Sequence, residues 1–305
     1  MITYILQRLA VGLLVALTVS VITFSLTNLA VDPAVVLAGA TASHQDIEAI
    51  RSLYGFDQHI VIRYLNWLSA ALRGDLGISF RTHLPVFDLI MDRLPVTLIL
   101  GVSSLILAIV VALPLAILAA LNPNTWIDRA CLTLAVFGQA LPTFWFGLLM
   151  IVLFSVNLGW LPASGSGSWK HYVMPSIALG YYAMPALMRL TRTGLLDVLS
   201  ADYIRTARAK GLMPVTVIFK HALRNAILPI ISLAAVQFGM MLGGSIVIES
   251  VFALPGVGLL AWESITQADY PVMQAIVLIV SVLYVIFVLI ADFINAALDP
   301  RIRMA

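Results

Sequence analysis

The sequence predicts an all-α integral membrane protein with six transmembrane helices, a helical extracytoplasmic loop after the first span, and a short cytoplasmic helix between spans four and five. Three observations support this fold class. The chain is 61% hydrophobic and only 10% charged, and its mean hydropathy is +1.02. Several apolar runs reach the roughly 20 residues needed to cross a bilayer. The basic residues are concentrated in a few polar segments between those runs.

Six apolar segments are predicted to cross the membrane. We expect the first to be an uncleaved anchor, because its apolar run is about twice that of a signal peptide and no small-residue cleavage motif follows it. The predicted spans are Leu9–Ala30, Pro95–Leu121, Leu132–Leu158, Val173–Leu190, Ile227–Ile248 and Val272–Ala297.

The distribution of Lys and Arg predicts the orientation, because cytoplasmic loops carry an excess of these bases. With the N-terminus inside, eleven of the 17 bases lie in cytoplasmic segments, and Lys170 is the one base in a short outside loop. The other five lie in residues 31–94, a loop long enough to be translocated regardless of its charge. We therefore expect both termini to be cytoplasmic and this loop to be outside.

The outside loop carries signals for two short helices. Ser43 and Asp46 have capping-box spacing, and Gly55 is a stop signal. An amphipathic pattern begins at Val61 and is closed by Gly74. These helices either cover the membrane-embedded part of the protein or form a docking surface for an extracytoplasmic partner. The predicted divisions are an N-terminal anchor (1–30), the loop (31–94) and a five-span core (95–305).

The sequence lacks the common motifs of enzymes and nucleotide-binding proteins. No GxxxxGK[ST], HExxH, paired CxxC or GxSxG motif occurs, and the five histidines are scattered. The single cysteine excludes an intramolecular disulfide. The net charge of +2 gives no indication of nucleic-acid binding. We therefore expect no catalysis by the chain alone and no metal or cofactor bound to it.

Polar residues inside predicted spans are the default functional candidates in a membrane protein. Those within or near the ends of the spans are Gln139, Gln237, Glu249 and Asp292. We expect Asp292 to lie near the interface or to pair with a base such as Arg301. Gly239 and Gly243 form a small-xxx-small pair, which favours close helix packing over a pore constriction.

Residues 201–226 hold five of the basic residues in one polar segment. Ser200 or Asp202 is predicted to cap a short helix, and Gly211 to end it in the left-handed conformation. On that helix, Tyr203 and Ala207 lie four residues apart and form an apolar strip beside a basic strip. The segment is either a simple topological anchor or a docking helix.

The segment resembles the EAA loop, the cytoplasmic signature of the permease subunits of binding-protein-dependent ABC importers. That signature reads E-A-A-x3-G-x9-I-x-L-P, and Ala207, Gly211 and Leu223 match its second alanine, glycine and leucine. The positions that depart from it are Arg205, Thr206, His221 and Arg224. These departures are similar to the dipeptide/oligopeptide/nickel branch, which carries "RTARAKG" followed by "HALRNA".

Further motifs of that branch occur along the chain: "YLNWLSAALRGDLGISF", "RLPVTLIL", "GGSIVIESVFALPGVG", "ADYPV" and "LDPRIR". The resemblance implies a subunit of the bacterial or archaeal inner membrane that pairs with a second, related permease. It also implies two cytoplasmic ATPase subunits, which hold ATP and magnesium, and an extracytoplasmic substrate-binding protein. It implies a coupling helix that docks on an ATPase subunit and consists of Tyr203, Ile204, Arg205, Thr206, Ala207, Arg208, Lys210 and Gly211.

The resemblance also gives expectations for the pathway and the substrate. Gln237 and Glu249 are pathway or outer-gate candidates, and Glu249 is expected to face water or the partner permease. Di- and oligopeptides are the commonest substrates of this branch, and nickel chelates, glutathione, and opine or sugar relatives use the same scaffold. Two other classes remain open from the residues alone: a stand-alone secondary transporter or channel, and an intramembrane enzyme.

Overall fold

The computed structural model describes residues 2–30, 32–39 and 42–298. Within these residues the regular structure is helical, apart from a bridge between Ile78 and Pro85. The helices are α1 (Ile2–Ala30), α2 (Pro33–Ala38), α3 (His44–Leu53), α4 (Ile60–Ala71), α5 (Val86–Leu121), α6 (Trp126–Phe137), α7 (Thr143–Met150), α8 (Lys170–Leu199), α9 (Asp202–Ala209), α10 (Pro214–Thr216), α11 (Leu223–Val251), α12 (Val257–Thr266) and α13 (Tyr270–Leu298).

The described residues form two compact units. The core unit contains residues 97–254 and those from 286 onward, and the loop unit contains residues 2–96 and 255–285. The end of the "LDPRIR" motif and the Arg301 proposed to pair with Asp292 lie outside the described residues.

Among the described residues, four helical stretches are long and apolar enough to cross a membrane, namely Leu6–Asn28, Val86–Leu121, Pro214–Val251 and Tyr270–Leu298. The predicted third span is divided instead of continuous. It consists of α6, a 3₁₀ turn at Gly138–Ala140, α7, and a π-helical segment at Ile151–Asn157. Pro142 precedes α7, and proline cannot donate the backbone hydrogen bond that would continue a helix. The predicted fourth span is the continuous helix α8, which also carries Lys170 and Arg192.

The loop unit confirms the predicted helix signals. The Ser43 Oγ accepts from the Asp46 backbone N–H, and the Asp46 carboxylate accepts from the Ser43 N–H, so the capping box is complete. Gly55 has φ +68° after the end of α3, and Gly74 has φ +86° after α4. Both glycines occupy the left-handed region, where a side chain would be strained.

In the core unit, α5 and α8 approach each other closely. A Cβ built on Gly180 of α8 would lie 2.5 Å from the backbone oxygen of Ser104 on α5. The Oγ atoms of Ser103 and Ser176 are hydrogen-bonded at 2.6 Å in the same pair of helices. Small residues therefore allow the two backbones to pack together, as is common between helices in membranes.

Candidate docking helix

The predicted short helix is present as α9, and it ends as the sequence indicates. Lys210 caps its C-terminus, and Gly211 follows with φ +74°, so the predicted left-handed glycine is confirmed. The predicted N-terminal cap is wrong. Ala201 occupies the cap position without a side-chain hydrogen bond, because Asp202 already lies in the first turn and the Ser200 Oγ donates to the Asp197 carbonyl.

One face of α9 packs against the chain itself. Ile204 is fully buried and Ala207 is only 7% exposed. Their buried neighbours come from the end of α5, the end of α8, the π-helical segment Val217–Ala222 and the start of α11, namely Ala120, Leu195, Val217, Ala222 and Ala226. The buried pair is therefore Ile204 with Ala207, three residues apart. The prediction that Tyr203 and Ala207 share an outward apolar strip is wrong for Ala207, because the chain's own helices cover it.

The opposite face of α9 is exposed and basic. Arg205, Thr206, Arg208 and Lys210 are all exposed. Arg205 reaches Asp202 at 3.3 Å, but both side chains are so exposed that this pair adds little stability. Tyr203 is 43% exposed, and its hydroxyl accepts a hydrogen bond from Asn225 Nδ2 of α11 at 2.7 Å. The ring is thus oriented by the chain and still available to a partner.

Three apolar residues that the sequence analysis did not single out follow Gly211. Leu212 is 39% exposed, Met213 is 74% exposed and Val215 is 64% exposed. Exposed apolar side chains beside a basic face are typical of a protein interaction surface. The sequence shows that these residues follow the matched glycine. It does not show that they are exposed, because exposure depends on how the rest of the chain packs around the turn.

The end of α8 that leads to α9 is held by a buried ion pair. Arg192 Nε donates to Asp128 Oδ1 at 2.7 Å, and Arg192 Nη2 donates to Asp128 Oδ2 at 2.6 Å. The Asn124 backbone N–H also donates to Asp128 Oδ2, at 3.0 Å. The hydrogen bond from Arg192 holds the pKa of the Asp128 carboxyl below its usual value, and the same contact raises the pKa of Arg192. Sequence reasoning missed this pair, since the chain order does not show which base meets Asp128.

The two pathway candidates are buried within the core unit. Glu249 is 0% exposed, and the Thr97 hydroxyl donates to its Oε1 at 2.8 Å. The expectation that Glu249 faces water or another subunit is therefore wrong, because this chain encloses the side chain. A buried carboxylate needs hydrogen-bond donors, and Thr97 of α5 supplies one. Gln237 is likewise buried, at 6% exposure. A Cβ on Gly243 would meet no atom within 4 Å, so this glycine does not pack closely inside the described chain.

Two family models match the chain. Residues 112–304 match the binding-protein-dependent transport system inner membrane component, and residues 1–101 match the N-terminal part of such membrane components. The chain belongs to this family. It is a permease subunit of a binding-protein-dependent ABC importer and a multi-pass protein of the inner membrane.

Curated relatives and solved structures agree with this family. The glutathione transport system permease protein GsiC of Escherichia coli K12 is 43% identical over 305 residues, with 99% of each chain covered. Its counterpart from Shigella flexneri is 42% identical over the same length. A chain of the MetNI methionine ABC transporter, solved in inward-facing conformations, has a TM-score of 0.58 at 20% identity and covers 69% of this chain and 96% of its own. A chain of an amino acid ABC transporter has a TM-score of 0.52 at 18% identity, with 69% and 94% covered.

Membership in the family has consequences for assembly. A permease of this kind works with ATPase subunits and a substrate-binding protein, so partner surfaces are expected on both sides of the membrane. The exposed basic face of α9 and the apolar residues after Gly211 are a candidate for one of these surfaces.

Proposed function

We propose that this permease is one half of a heterodimeric importer of glutathione and related short peptides. The observation that carries the proposal is the 43% identity to a glutathione permease across 99% of both chains. Glutathione is a tripeptide, so it falls within the peptide class typical of the branch that the motifs resemble. Nickel chelates and other small solutes are the alternative substrates of the same scaffold.

The proposed topology has six spans and cytoplasmic termini. The four long apolar stretches account for four spans. The divided segment Leu132–Leu158 and the part of α8 from Val173 to Leu190 supply the other two. A broken helix is tolerated at membrane depth where neighbouring protein surrounds it. The proposed parts are the anchor (1–30), the extracytoplasmic loop (31–94) and the permease core (95–305).

The proposed docking site for an ATPase subunit is the outward face of α9 together with the turn that follows it. Arg205, Arg208 and Lys210 would meet acidic residues or carbonyl oxygens, while Tyr203 and Met213 would contact apolar side chains. Ile204 and Ala207 would fix α9 to four other elements of the core unit, so that movement of the ATPase subunit is passed to the spans. ATP and magnesium would bind to the partner subunits.

Uptake measurements test the substrate. The chain is expressed with its partner subunits and binding protein in cells that lack endogenous glutathione and peptide importers, and uptake of radiolabelled glutathione, dialanine and nickel is compared. We expect glutathione uptake that requires the ATPase subunits and is reduced by excess unlabelled tripeptide. Uptake of nickel alone would overturn the proposed substrate. Uptake without the ATPase subunits would indicate a stand-alone transporter.

A further inference from the structure

A cavity of about 760 Å³ lies within the loop unit. Its walls come from the end of α1, from α2 and α4, from residues 75–83 and from the start of α13. Aromatic side chains form much of the lining, including Phe24, Phe56 and Tyr270. A concave, aromatic-walled cavity of this size with a few polar groups is typical of a site for a small molecule.

Arg63 is the cationic group in this lining. Its Nη2 donates to Asn28 Oδ1, and its guanidinium carbon lies 5.0 Å from the centroid of the Phe56 ring. Among the described residues Arg63 forms no ion pair. Asp32, which acts on Arg63 electrostatically, is already paired with Arg51. Partial burial lowers the pKa of Arg63, and the field of Asp32 opposes this effect.

The lining also includes Trp67, whose indole nitrogen is a buried donor. Trp67 lines the same cavity, and its Nε1 is buried without a hydrogen-bond partner among the described residues. Buried donors are normally satisfied, and each one left without a partner costs free energy. The lining thus contains a guanidinium that forms no ion pair among the described residues. Asp75 also lines the cavity, and its Oδ1 accepts a hydrogen bond from the Gly77 backbone N–H.

We propose that this cavity binds a small solute through a carboxylate group, with Arg63 as its ion partner and the aromatic walls around the rest of the molecule. Guanidinium groups bind carboxylates with two parallel hydrogen bonds, which suits a planar anion. The choice of a short peptide as the solute rests on the proposed function, since such peptides carry at least one carboxylate. The site would lie outside the substrate-binding protein and provide a second point of substrate contact.

Equilibrium binding of radiolabelled glutathione to the whole importer complex tests the site. The complex is assembled with its partner permease and ATPase subunits in nanodiscs, without the binding protein. We expect Arg63→Gln to weaken binding by at least about tenfold, because a hydrogen bond to a charged group is lost. The matched control is Arg73→Gln, which removes an exposed arginine near the end of the same helix and should leave binding unchanged.

A second variant keeps the test valid if Arg63→Gln misfolds. Asn28→Asp keeps the size of the side chain and the acceptor that Arg63 already contacts, and it fills the anion site with a built-in carboxylate. It loses the hydrogen bond that Asn28 Nδ2 donates to the Phe24 carbonyl of the same helix, so its unfolding midpoint is measured beside its affinity. We expect it to weaken glutathione binding as strongly as Arg63→Gln. Wild-type affinity in Asn28→Asp would overturn the proposal.

Ligand controls distinguish a solute carboxylate from phosphate and from a lipid headgroup as the group that the cavity binds. Glutathione diethyl ester, which lacks free carboxylates, should not bind, and inorganic phosphate should not displace glutathione. If the ester binds as well as glutathione, the cavity does not select a solute carboxylate and the proposal fails. The proposal also fails if glutathione binding disappears only in nanodiscs that contain phosphatidylglycerol. Uptake in cells with the binding protein tests the proposed function separately, so loss of cavity binding with normal uptake would overturn this inference alone.

Discussion

At the scale of single residues, Asp128 has the clearest physical role in the core unit. Its side chain is 4% exposed, and its two oxygens accept three hydrogen bonds, two of them from Arg192. Arg192 lies three residues before Leu195, which packs beneath α9. The pair therefore fixes the part of α8 against which α9 packs. Its partners come from different helices, so no sequence spacing could have identified it.

Replacing this carboxylate is predicted to destabilise the protein. Asp128→Asn leaves the buried Arg192 guanidinium without a counter-charge, and breaking a buried pair costs about 3 kcal/mol. We expect a lower thermal unfolding midpoint for the purified complex and a reduced stimulation of ATP hydrolysis by the binding protein. Asp197→Asn removes an exposed carboxylate from the same helix as Arg192 and serves as the control. Equal unfolding midpoints in the two variants would show that the Asp128–Arg192 pair does not stabilise the protein.

The same pair predicts a dependence of stability on pH. Hydrogen bonding from Arg192 lowers the pKa of Asp128 below its usual value of 3.8, so the stabilisation is complete above that value. It is lost as the pH falls through the lower pKa of the folded state. We expect the wild-type unfolding midpoint to fall below about pH 3.8 more steeply than that of Asp128→Asn, which has no carboxyl group to protonate at this position. Parallel curves for the two proteins would contradict this assignment.

At the scale of helices, most local signals were read correctly, the N-terminal cap of α9 being the exception, whereas tertiary contacts could not be read. Ser43, Gly55 and Gly211 act through their own backbone neighbourhood, so their effect on helix ends could be predicted. The covered face of α9 depends on packing against several other elements, including the distant α5 with Ala120. Periodicity indicated an apolar face but not that Ile204, rather than Tyr203, belongs to it.

The close approach of α5 and α8 gives a prediction for Gly180. In Gly180→Ala the new methyl group would lie 2.5 Å from the Ser104 carbonyl oxygen, so one helix must shift. Overpacking of this kind costs about 1–3 kcal/mol. We expect a lower unfolding midpoint and less transport. Gly194→Ala on the same helix is the control, because its nearest contacts lie at 3.7 Å, an ordinary van der Waals distance.

The two faces of α9 should respond differently to substitution. Arg208→Glu and Met213→Asp alter the exposed surface, so we expect loss of the ATPase subunits on purification with an unchanged unfolding midpoint of the permease dimer. Ala207→Asp places a carboxylate in the covered face and should also lower that midpoint. Leu53→Asp changes an exposed apolar residue of the loop unit and should retain the ATPase subunits. Retention of the ATPase subunits by Arg208→Glu, Met213→Asp and Ala207→Asp would leave α9 as a topological anchor.

At the scale of the whole molecule, the amino-acid composition predicted more of the fold class than any single motif did. Mean hydropathy and apolar run length placed the chain in a membrane, and the family and its helical architecture agree with that placement. The asymmetry of Lys and Arg then selects one orientation, because bases in short loops resist translocation. The bases of the long loop 31–94 do not determine the orientation, because long loops are translocated largely regardless of their charge.

Orientation is testable with single cysteines in a Cys131→Ser background, where the buried native thiol is removed. Ser52 and Ser200 are both exposed, and they lie in segments predicted to be on opposite sides of the membrane. In intact spheroplasts an impermeant maleimide should label Ser52→Cys, whereas Ser200→Cys should react only after permeabilisation, because the bilayer excludes the charged reagent. Uptake by both variants confirms that the labelled proteins are native. Labelling of Ser200→Cys alone in intact spheroplasts would invert the topology and remove α9 from the cytoplasm, and with it the proposed ATPase docking site.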